Sequence, residues 1–87
     1  MPPSSSVHVV LYATAREAAG RARIDLPVPA RGTSVAALLK TLGRTHSGLI
    51  GVLPTCRVAR NGRYVVPRTA HVRPGDEVAI HPPYSGG

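Results

Sequence analysis

A single amphipathic segment, GTSVAALLKTLG at positions 32–43, most constrains the folds open to this chain. Thr33 or Ser34 can cap its first turn, and Gly43 is predicted to end the helix. A helix of roughly 14 Å, at 1.5 Å per residue, is too short to be stable alone and must pack against a sheet. Its apolar side chains share one helical face at i, i+3, i+4 and i+7 spacing: Val35, Leu38, Leu39 and Leu42.

Two segments before this helix have the composition of β-strands. Residues 7–13 are β-branched, aliphatic and aromatic, and they carry apolar side chains on both faces, which is typical of a central strand. A helical turn follows and is predicted to end at Gly20. Residues 21–26 then alternate polar with apolar side chains, which predicts a half-buried strand.

After the helix, the strongest signals are two turns. Asn61 and Gly62 lie between strand-like segments and predict a two-residue type I′ hairpin, because both positions need positive φ. Pro74 and Gly75 predict a second turn, which begins a last strand over residues 77–81.

The order strand, strand, helix, strand, strand, strand predicts an α+β fold: a mixed four- to five-stranded sheet with one main helix packed on one face. If the first and last strands are the central pair they run parallel, because the helical crossover lies between them. This is the ubiquitin-like β-grasp topology, although other small α+β folds fit the same pattern. The predicted organisation is a loose leader (1–6), a β-grasp domain (7–81) and an extended functional tail (82–87).

The chain is strongly basic, with eleven Lys and Arg against four Asp and Glu, a net charge of +7. Its arginines are scattered, with no basic run and no interleaved aromatic set of the kind that stacks on bases. Solvated surface positions are therefore the favoured interpretation, an acidic protein partner comes next, and we expect no nucleic-acid partner. With no Phe or Trp, the core is predicted to be aliphatic.

Cysteine, histidine and the amino-terminal segment indicate no further site. The single Cys56 cannot form an intramolecular disulfide and is predicted to pack as a small core residue. The four histidines lack metal-ligand spacing, so no metal site is predicted. Residues 1–6 carry no Lys or Arg, and the apolar run after them is short and interrupted by His8, which argues against a signal peptide. We expect a cytoplasmic protein without membrane contact.

The closing heptapeptide HPPYSGG is the most unusual segment of the chain. Pro82 and Pro83 have fixed φ and no N–H donor, so they predict a stiff, extended exit from the last strand. Gly86 and Gly87 have no Cβ and can pass through a channel too narrow for a side chain. A carboxylate at the tip could then enter the active site of another protein. A frayed terminus is the alternative interpretation.

The segment RPGDEVAIHPPYSGG resembles the carboxyl terminus of the small subunits of molybdopterin synthase, a ubiquitin-like sulfur-carrier family. VVLYATAREAAG is also similar to that family's first strand and following helical turn, and GTSVAALLKTL occupies the place of its main helix. His81 stands where many members have an aromatic residue, and a packing role is expected for it. The positions that match the tail motif are Gly75, Asp76, Glu77, Val78, Pro82, Pro83, Gly86 and Gly87.

This resemblance implies a chemistry for the tail. An E1-like partner would adenylate Gly87 with ATP, and sulfur from a sulfur-donating enzyme would displace AMP to leave a thiocarboxylate. The tail would then enter the large synthase subunit through contacts of Pro82, Pro83, Tyr84, Ser85 and Gly86. There its sulfur would be transferred to cyclic pyranopterin monophosphate. The chain would thus be a non-catalytic sulfur-donor subunit with no permanently bound cofactor, and the acid–base groups would belong to its partners.

Three alternatives remain at this point. A related sulfur carrier could serve thiamine or cysteine synthesis with the same tail chemistry. A ubiquitin-like modifier would instead join Gly87 to a lysine of a target protein. A basic nucleic-acid-binding module ranks last, because it does not explain the tail.

Overall fold

The structure, a computed structural model, describes residues 5–83. Two short 3₁₀ turns, Ser47–Leu49 and Leu53–Thr55, join the second helix to the fourth strand. The elements are β1 (Ser6–Leu11), α1 (Ala13–Ala19), β2 (Arg23–Pro27), β3 (Thr33–Ser34), α2 (Val35–Thr45), β4 (Arg57–Arg60), β5 (Arg63–Val65), β6 (His71–Val72) and β7 (Glu77–His81).

Five strands form one mixed sheet in the order β2-β1-β7-β4-β5. The central pair, β1 and β7, is parallel, and the other neighbours are antiparallel. The predicted β-grasp arrangement, with one main helix and the first strand inside the sheet, is confirmed. The second ladder, in which β3 pairs with β6, was not predicted from sequence because each strand has only two residues.

The core lies between α2 and one face of the sheet, and the described part of it is aliphatic as predicted. Every second side chain of the strands points into the core and forms its sheet side. The predicted apolar face of α2 forms the helix side, although Leu39 is only half-buried. The largest fully buried side chains are Val7, Val9, Leu11, Val35, Leu42, Leu49, Val72, Val78 and Ile80.

Several predicted boundaries differ from the structure. Strand β1 ends at Leu11 and not at residue 13, because Ala13 already belongs to α1, and β2 spans Arg23–Pro27 instead of residues 21–26. The Ser34 hydroxyl caps α2 by accepting a hydrogen bond from the Ala37 amide at 3.0 Å, as the sequence predicts. The predicted end at Gly43 is wrong, because α2 continues to Thr45. Glycine ends a helix by adopting positive φ, and Gly43 does not do so but is buried within the helix. At the other end of the chain, β1 begins at Ser6, which the sequence analysis assigned to the leader.

The predicted turns are present with the expected backbone geometry. Asn61 and Gly62 have φ of 49° and 87°, so the β4–β5 hairpin has the type I′ signature. Gly20 ends α1 with φ of 77°, and its amide donates to the Arg16 carbonyl at 2.9 Å. Gly75 has φ of 94° in the turn that precedes β7.

The turn before β7 is held by the carboxylate of Asp76. It accepts hydrogen bonds from the Arg73 amide at 2.9 Å and from the Asn61 side chain at 3.1 Å. Burial raises the pKa of Asp76, but these hydrogen bonds and the nearby Arg60 and Arg73 charges outweigh burial, so the net pKa lies below its usual value. The turn thereby ties β7 to the β4–β5 hairpin, and its stability depends on an ionised carboxylate.

We expect Asp76→Asn to destabilise the fold by about 1 kcal/mol at pH 7, because the charge-assisted hydrogen bonds are weakened. A lowered folded-state pKa stabilises the protein above the unfolded value, and this contribution is lost as pH falls through the folded value. The difference between wild type and variant should therefore shrink below about pH 4, given an unfolded Asp pKa of about 3.9. Urea denaturation at a series of pH values measures it. A difference that stays constant down to pH 3 would contradict the assignment.

Candidate functional site at the base of the tail

The tail leaves the domain from a strand that is held on both sides. Ile80 is paired with Leu11 of β1, and His81 is paired with Arg57 of β4. The Tyr12 amide also donates to the Ile80 carbonyl at 3.3 Å. Because both neighbouring strands run to the end of β7, the point at which the tail begins has a defined position.

The first two residues of the predicted tail differ in burial. Pro82 is buried and Pro83 is exposed, so the chain reaches the surface between these two prolines. Tyr84, Ser85, Gly86 and Gly87 lie outside the described residues. The sequence prediction of an extended, reactive tail therefore remains a prediction for those four positions.

An aromatic cluster surrounds the strand end. The His81 ring stacks on Tyr12 with centroids 4.7 Å apart and planes 9° from parallel. The edge contact of His81 with Tyr64 has a centroid distance of 5.8 Å and an interplanar angle of 74°. The Arg57 guanidinium lies over the Tyr64 ring, 5.0 Å from its centroid. We call Tyr12, Arg57, Tyr64 and His81 the tail-base cluster, and the packing role expected for His81 is confirmed.

Strand alternation explains why these four side chains meet. Ile80 points into the core, so His81 points to the opposite, open face of the sheet. Arg57 alternates in the same way with buried Val58, and Tyr64 pairs with Ala59 on that open face. The cluster escaped the sequence analysis because its members come from four separate segments. The signal that could have found it was the register of β1 and β7, which places position 12 beside position 81.

The tail-base cluster lines an open groove of about 550 Å³, together with Thr55 and the two prolines. Tyr12 and Tyr64 are 45% and 61% exposed, although both are large and largely apolar. Among residues 5–83, no acidic side chain lines this groove, and Arg57 gives it a positive charge. Exposed aromatic rings beside a cation are typical of surfaces that contact a protein partner.

We expect Tyr12→Ala to destabilise the fold by about 1 kcal/mol, because the stacked contact with His81 is lost. Val66→Ala is the matched control, since Val66 is 59% exposed and lies outside the cluster. The control should change the free energy of unfolding by less than about 0.5 kcal/mol, as surface substitutions do. Chemical denaturation measures both variants. Equal effects would mean that the stack contributes nothing to stability.

Cys56 lies next to this surface but has the properties of a packing residue. It is half-buried against the core, and its thiol donates to the Val52 carbonyl at 3.2 Å. Burial raises the pKa of the Cys56 thiol above its ordinary value. Because the thiolate is the nucleophilic form, this environment disfavours a reactive role.

The described residues contain neither a cluster of metal ligands nor a helix that could span a membrane. Between residues 5 and 83, no three His, Cys, Asp or Glu side chains are grouped so that they could hold a metal ion. Neither helix in this range is long and apolar enough to cross a membrane.

Comparison with known proteins gives consistent matches over most of the chain. A protein of Drosophila erecta named molybdopterin synthase sulfur carrier subunit is 37% identical over 87 residues, covering 98% of this chain and 94% of the relative. The crystal structure of SAMP1 from Haloferax volcanii has a TM-score of 0.81 at 29% identity and covers 94% of this chain and 99% of that one.

A third match is a Helicobacter pylori structure described as a protein–protein complex of subunits 1 and 2 of molybdopterin-converting factor. It has a TM-score of 0.68 at 18% identity, covering 94% of this chain and 99% of that one, and therefore supports the fold alone. The model of the ThiS family matches residues 9–87, which include β7, the tail-base cluster and the tail. This chain therefore belongs to the ThiS family.

Proposed function

We propose that this chain is a sulfur carrier and serves as the small subunit of molybdopterin synthase. The observation that carries the proposal is the 37% identity, over nearly the whole of both chains, to a relative that bears this name. The exit geometry of the tail supports it, because a carrier must present its end group away from its own fold. Strand β7 is paired on both sides, and the chain passes from buried Pro82 to exposed Pro83.

The proposed chemistry takes place at the carboxylate of Gly87. A carboxylate is a poor acyl electrophile, so an E1-like enzyme first joins it to AMP from ATP and releases pyrophosphate. A sulfur-donating enzyme then supplies sulfur at the sulfide level, which displaces AMP and leaves a thiocarboxylate. The large synthase subunit transfers this sulfur to cyclic pyranopterin monophosphate, and water supplies the oxygen that regenerates the carboxylate. Each dithiolene takes its two sulfur atoms from two charged carriers. ATP is consumed by the activating partner, and this chain needs no permanently bound cofactor.

The residues of this chain position the tail and provide contacts to the partners. Six residues beyond His81 can extend at most about 20 Å, at 3.3–3.6 Å per residue, which is enough to enter a buried active site. Pro82 and Pro83 limit the directions in which the segment leaves the sheet. Tyr84 and Ser85 would contact the entrance of the partner channel, and Gly86 would occupy its narrowest part. The tail-base cluster would lie under the partner at this entrance.

The proposed partners are the large synthase subunit, the E1-like enzyme and a sulfur-donating enzyme. The Helicobacter pylori complex is an example of this fold in contact with a second subunit. A net charge of +7 favours partners with acidic docking surfaces, because complementary charges accelerate association. We place these reactions in the cytoplasm and expect neither nucleic acid nor membrane to take part.

Intact-mass measurement tests the proposal directly. The full chain is incubated with the adenylating enzyme, ATP and a sulfur source, and its mass should rise by the difference between sulfur and oxygen. Addition of the large subunit and cyclic pyranopterin monophosphate should then restore the original mass and form dithiolene product. If partner enzymes that are active on another carrier leave this chain unmodified, the proposal is wrong. A thiocarboxylate that forms but yields no dithiolene would instead favour thiamine or cysteine synthesis.

A second candidate function is covalent modification of other proteins. It is favoured by the structural similarity to SAMP1, a small archaeal modifier protein, at 29% identity. A modifier uses the same adenylated carboxylate but joins it to a lysine amine with loss of AMP. Adducts of higher mass in cell extract that disappear when Gly87 is deleted would support this function.

A further inference from the structure

An open apolar groove beside α2 takes no part in the proposed sulfur chemistry. It has a volume of about 570 Å³ and lies between the helix and the 3₁₀ segment that follows it. Leu39, Gly43 and Leu53 line it, and Ile50 on its wall is 60% exposed. A Cβ at Gly43 would lie 3.4 Å from Ile50 Cγ1, so the missing side chain helps to make this surface concave.

Two basic side chains also line this helix groove. Lys40 and Arg44 are exposed and stand four residues apart, on neighbouring turns of α2. Within residues 5–83, the ion pairs involve only His8, Arg23 and Asp25, so neither cation has an acidic partner in this range.

This pair of cations is not explained by helix stability. Arg44 lies in the last turn, where the helix dipole favours a positive charge, but Lys40 lies one turn earlier. Like charges at this spacing destabilise a helix slightly. An anionic ligand over the groove would remove that repulsion.

We propose that the helix groove binds an acidic amphipathic segment of a partner protein, with apolar side chains on the groove floor and carboxylates at Lys40 and Arg44. Charge complementarity selects this occupant, because the lining contributed by residues 5–83 contains two cations and no acidic residue. A second copy of the chain is disfavoured by the net charge of +7. A nucleic acid would leave the apolar floor unused, and a concave surface cannot lie flat on a membrane.

The helix groove and the groove of the tail-base cluster are neighbours along the chain but lie on different faces of the domain. Leu53 and Pro54 line the helix groove, and the next residue, Thr55, lines the groove of the tail-base cluster. The binding itself does not depend on sulfur carriage, and its test uses no sulfur chemistry.

The probe is a fluorescent helical peptide with leucines on one face and glutamates flanking them. In a titration of the full chain at physiological salt, amide NMR shifts should concentrate at Leu39, Gly43 and Ile50. The double variant Lys40→Glu/Arg44→Glu should weaken binding about tenfold or more, because two attractive contacts become repulsive. The matched variant Arg21→Glu/Arg63→Glu makes the same change in net charge outside the groove and should weaken binding less than about threefold.

Several outcomes would overturn the proposal. One is the absence of shifts at the groove up to millimolar peptide. Another is a peptide with glutamines in place of the glutamates that binds as tightly as the acidic peptide, since Lys40 and Arg44 would then not favour an acidic ligand. Concentration-dependent shifts at the groove without peptide would identify a second copy as the occupant, and shifts with anionic vesicles alone would identify a membrane. Circular dichroism of each variant shows whether the fold is retained.

Discussion

Removing Gly87 is expected to lower the rate of thiocarboxylate formation by at least about 100-fold while the domain stays folded. The deletion moves the terminal carboxylate back by about 3.5 Å, the span of one extended residue. Misplacing a reacting group by about 1 Å can already cost roughly 100-fold in rate. The initial rate is measured by intact mass with the adenylating enzyme and ATP. Stability should not change, because β7 ends at His81 and its pairing with β1 and β4 is untouched.

Glu17→Gln is the control for this deletion, because Glu17 is exposed on α1, lies outside the tail and the tail-base cluster, and its substitution keeps the length of the tail. Its rate should remain within about threefold of wild type if the position of the carboxylate is what matters. A chain without Gly87 that is thiocarboxylated at the normal rate would show that the partner does not measure tail length. That result would remove the main physical reason for assigning a role to the double glycine.

Gly32→Ala is expected to destabilise the fold by about 3 kcal/mol or more, which for a domain of this size lowers Tm by more than roughly 12 °C. Gly32 has φ of 83°, a left-handed conformation that is unfavourable for alanine. A Cβ there would also collide with the Val72 backbone carbonyl and would lie 2.9 Å from His71 Nε2. Because Val72 belongs to β6, the collision would push apart the small ladder that leads into α2. Thermal and urea denaturation measure the effect.

Gly20→Ala separates the two causes. Gly20 has a similar φ of 77°, but, apart from Gly20 and its two chain neighbours, no heavy atom of the described residues lies within 4 Å of the position of a Cβ there. This variant should therefore lower the free energy of unfolding by about 1 kcal/mol, the cost of placing alanine in a left-handed conformation. If both glycine variants lower the free energy of unfolding by the same amount, a collision with the Val72 carbonyl does not contribute to the loss of stability in Gly32→Ala. The explanation given for that variant would then be wrong.

Local patterns in this sequence were sufficient to predict most of the fold. Each successful prediction used residues that are neighbours in the chain, so short segments could be interpreted separately. These predictions were based on the alternation of residues 77–81, the positive φ required at Asn61 and Gly62, and the apolar face of α2. The parallel pairing of β1 with β7 followed from the helical crossover between them. The sequence interpretation failed at Gly43, where a glycine near the end of a helical pattern was expected to adopt positive φ. Packing against Ile50 and Leu53 accommodates the glycine within the helix instead.

The sequence alone predicted the β-grasp class of the fold and the aliphatic character of the described core, and the proposed reactive role of Gly87 also rests on the sequence. Only the tertiary structure decided which distant side chains meet. His81 stacks on Tyr12, and Lys40 and Arg44 stand beside an apolar groove, because strand register and helix packing bring these positions together. The physical reason is that contacts between remote segments depend on the whole arrangement of the sheet and helix, whereas helical and strand periodicity depend on residues a few positions apart.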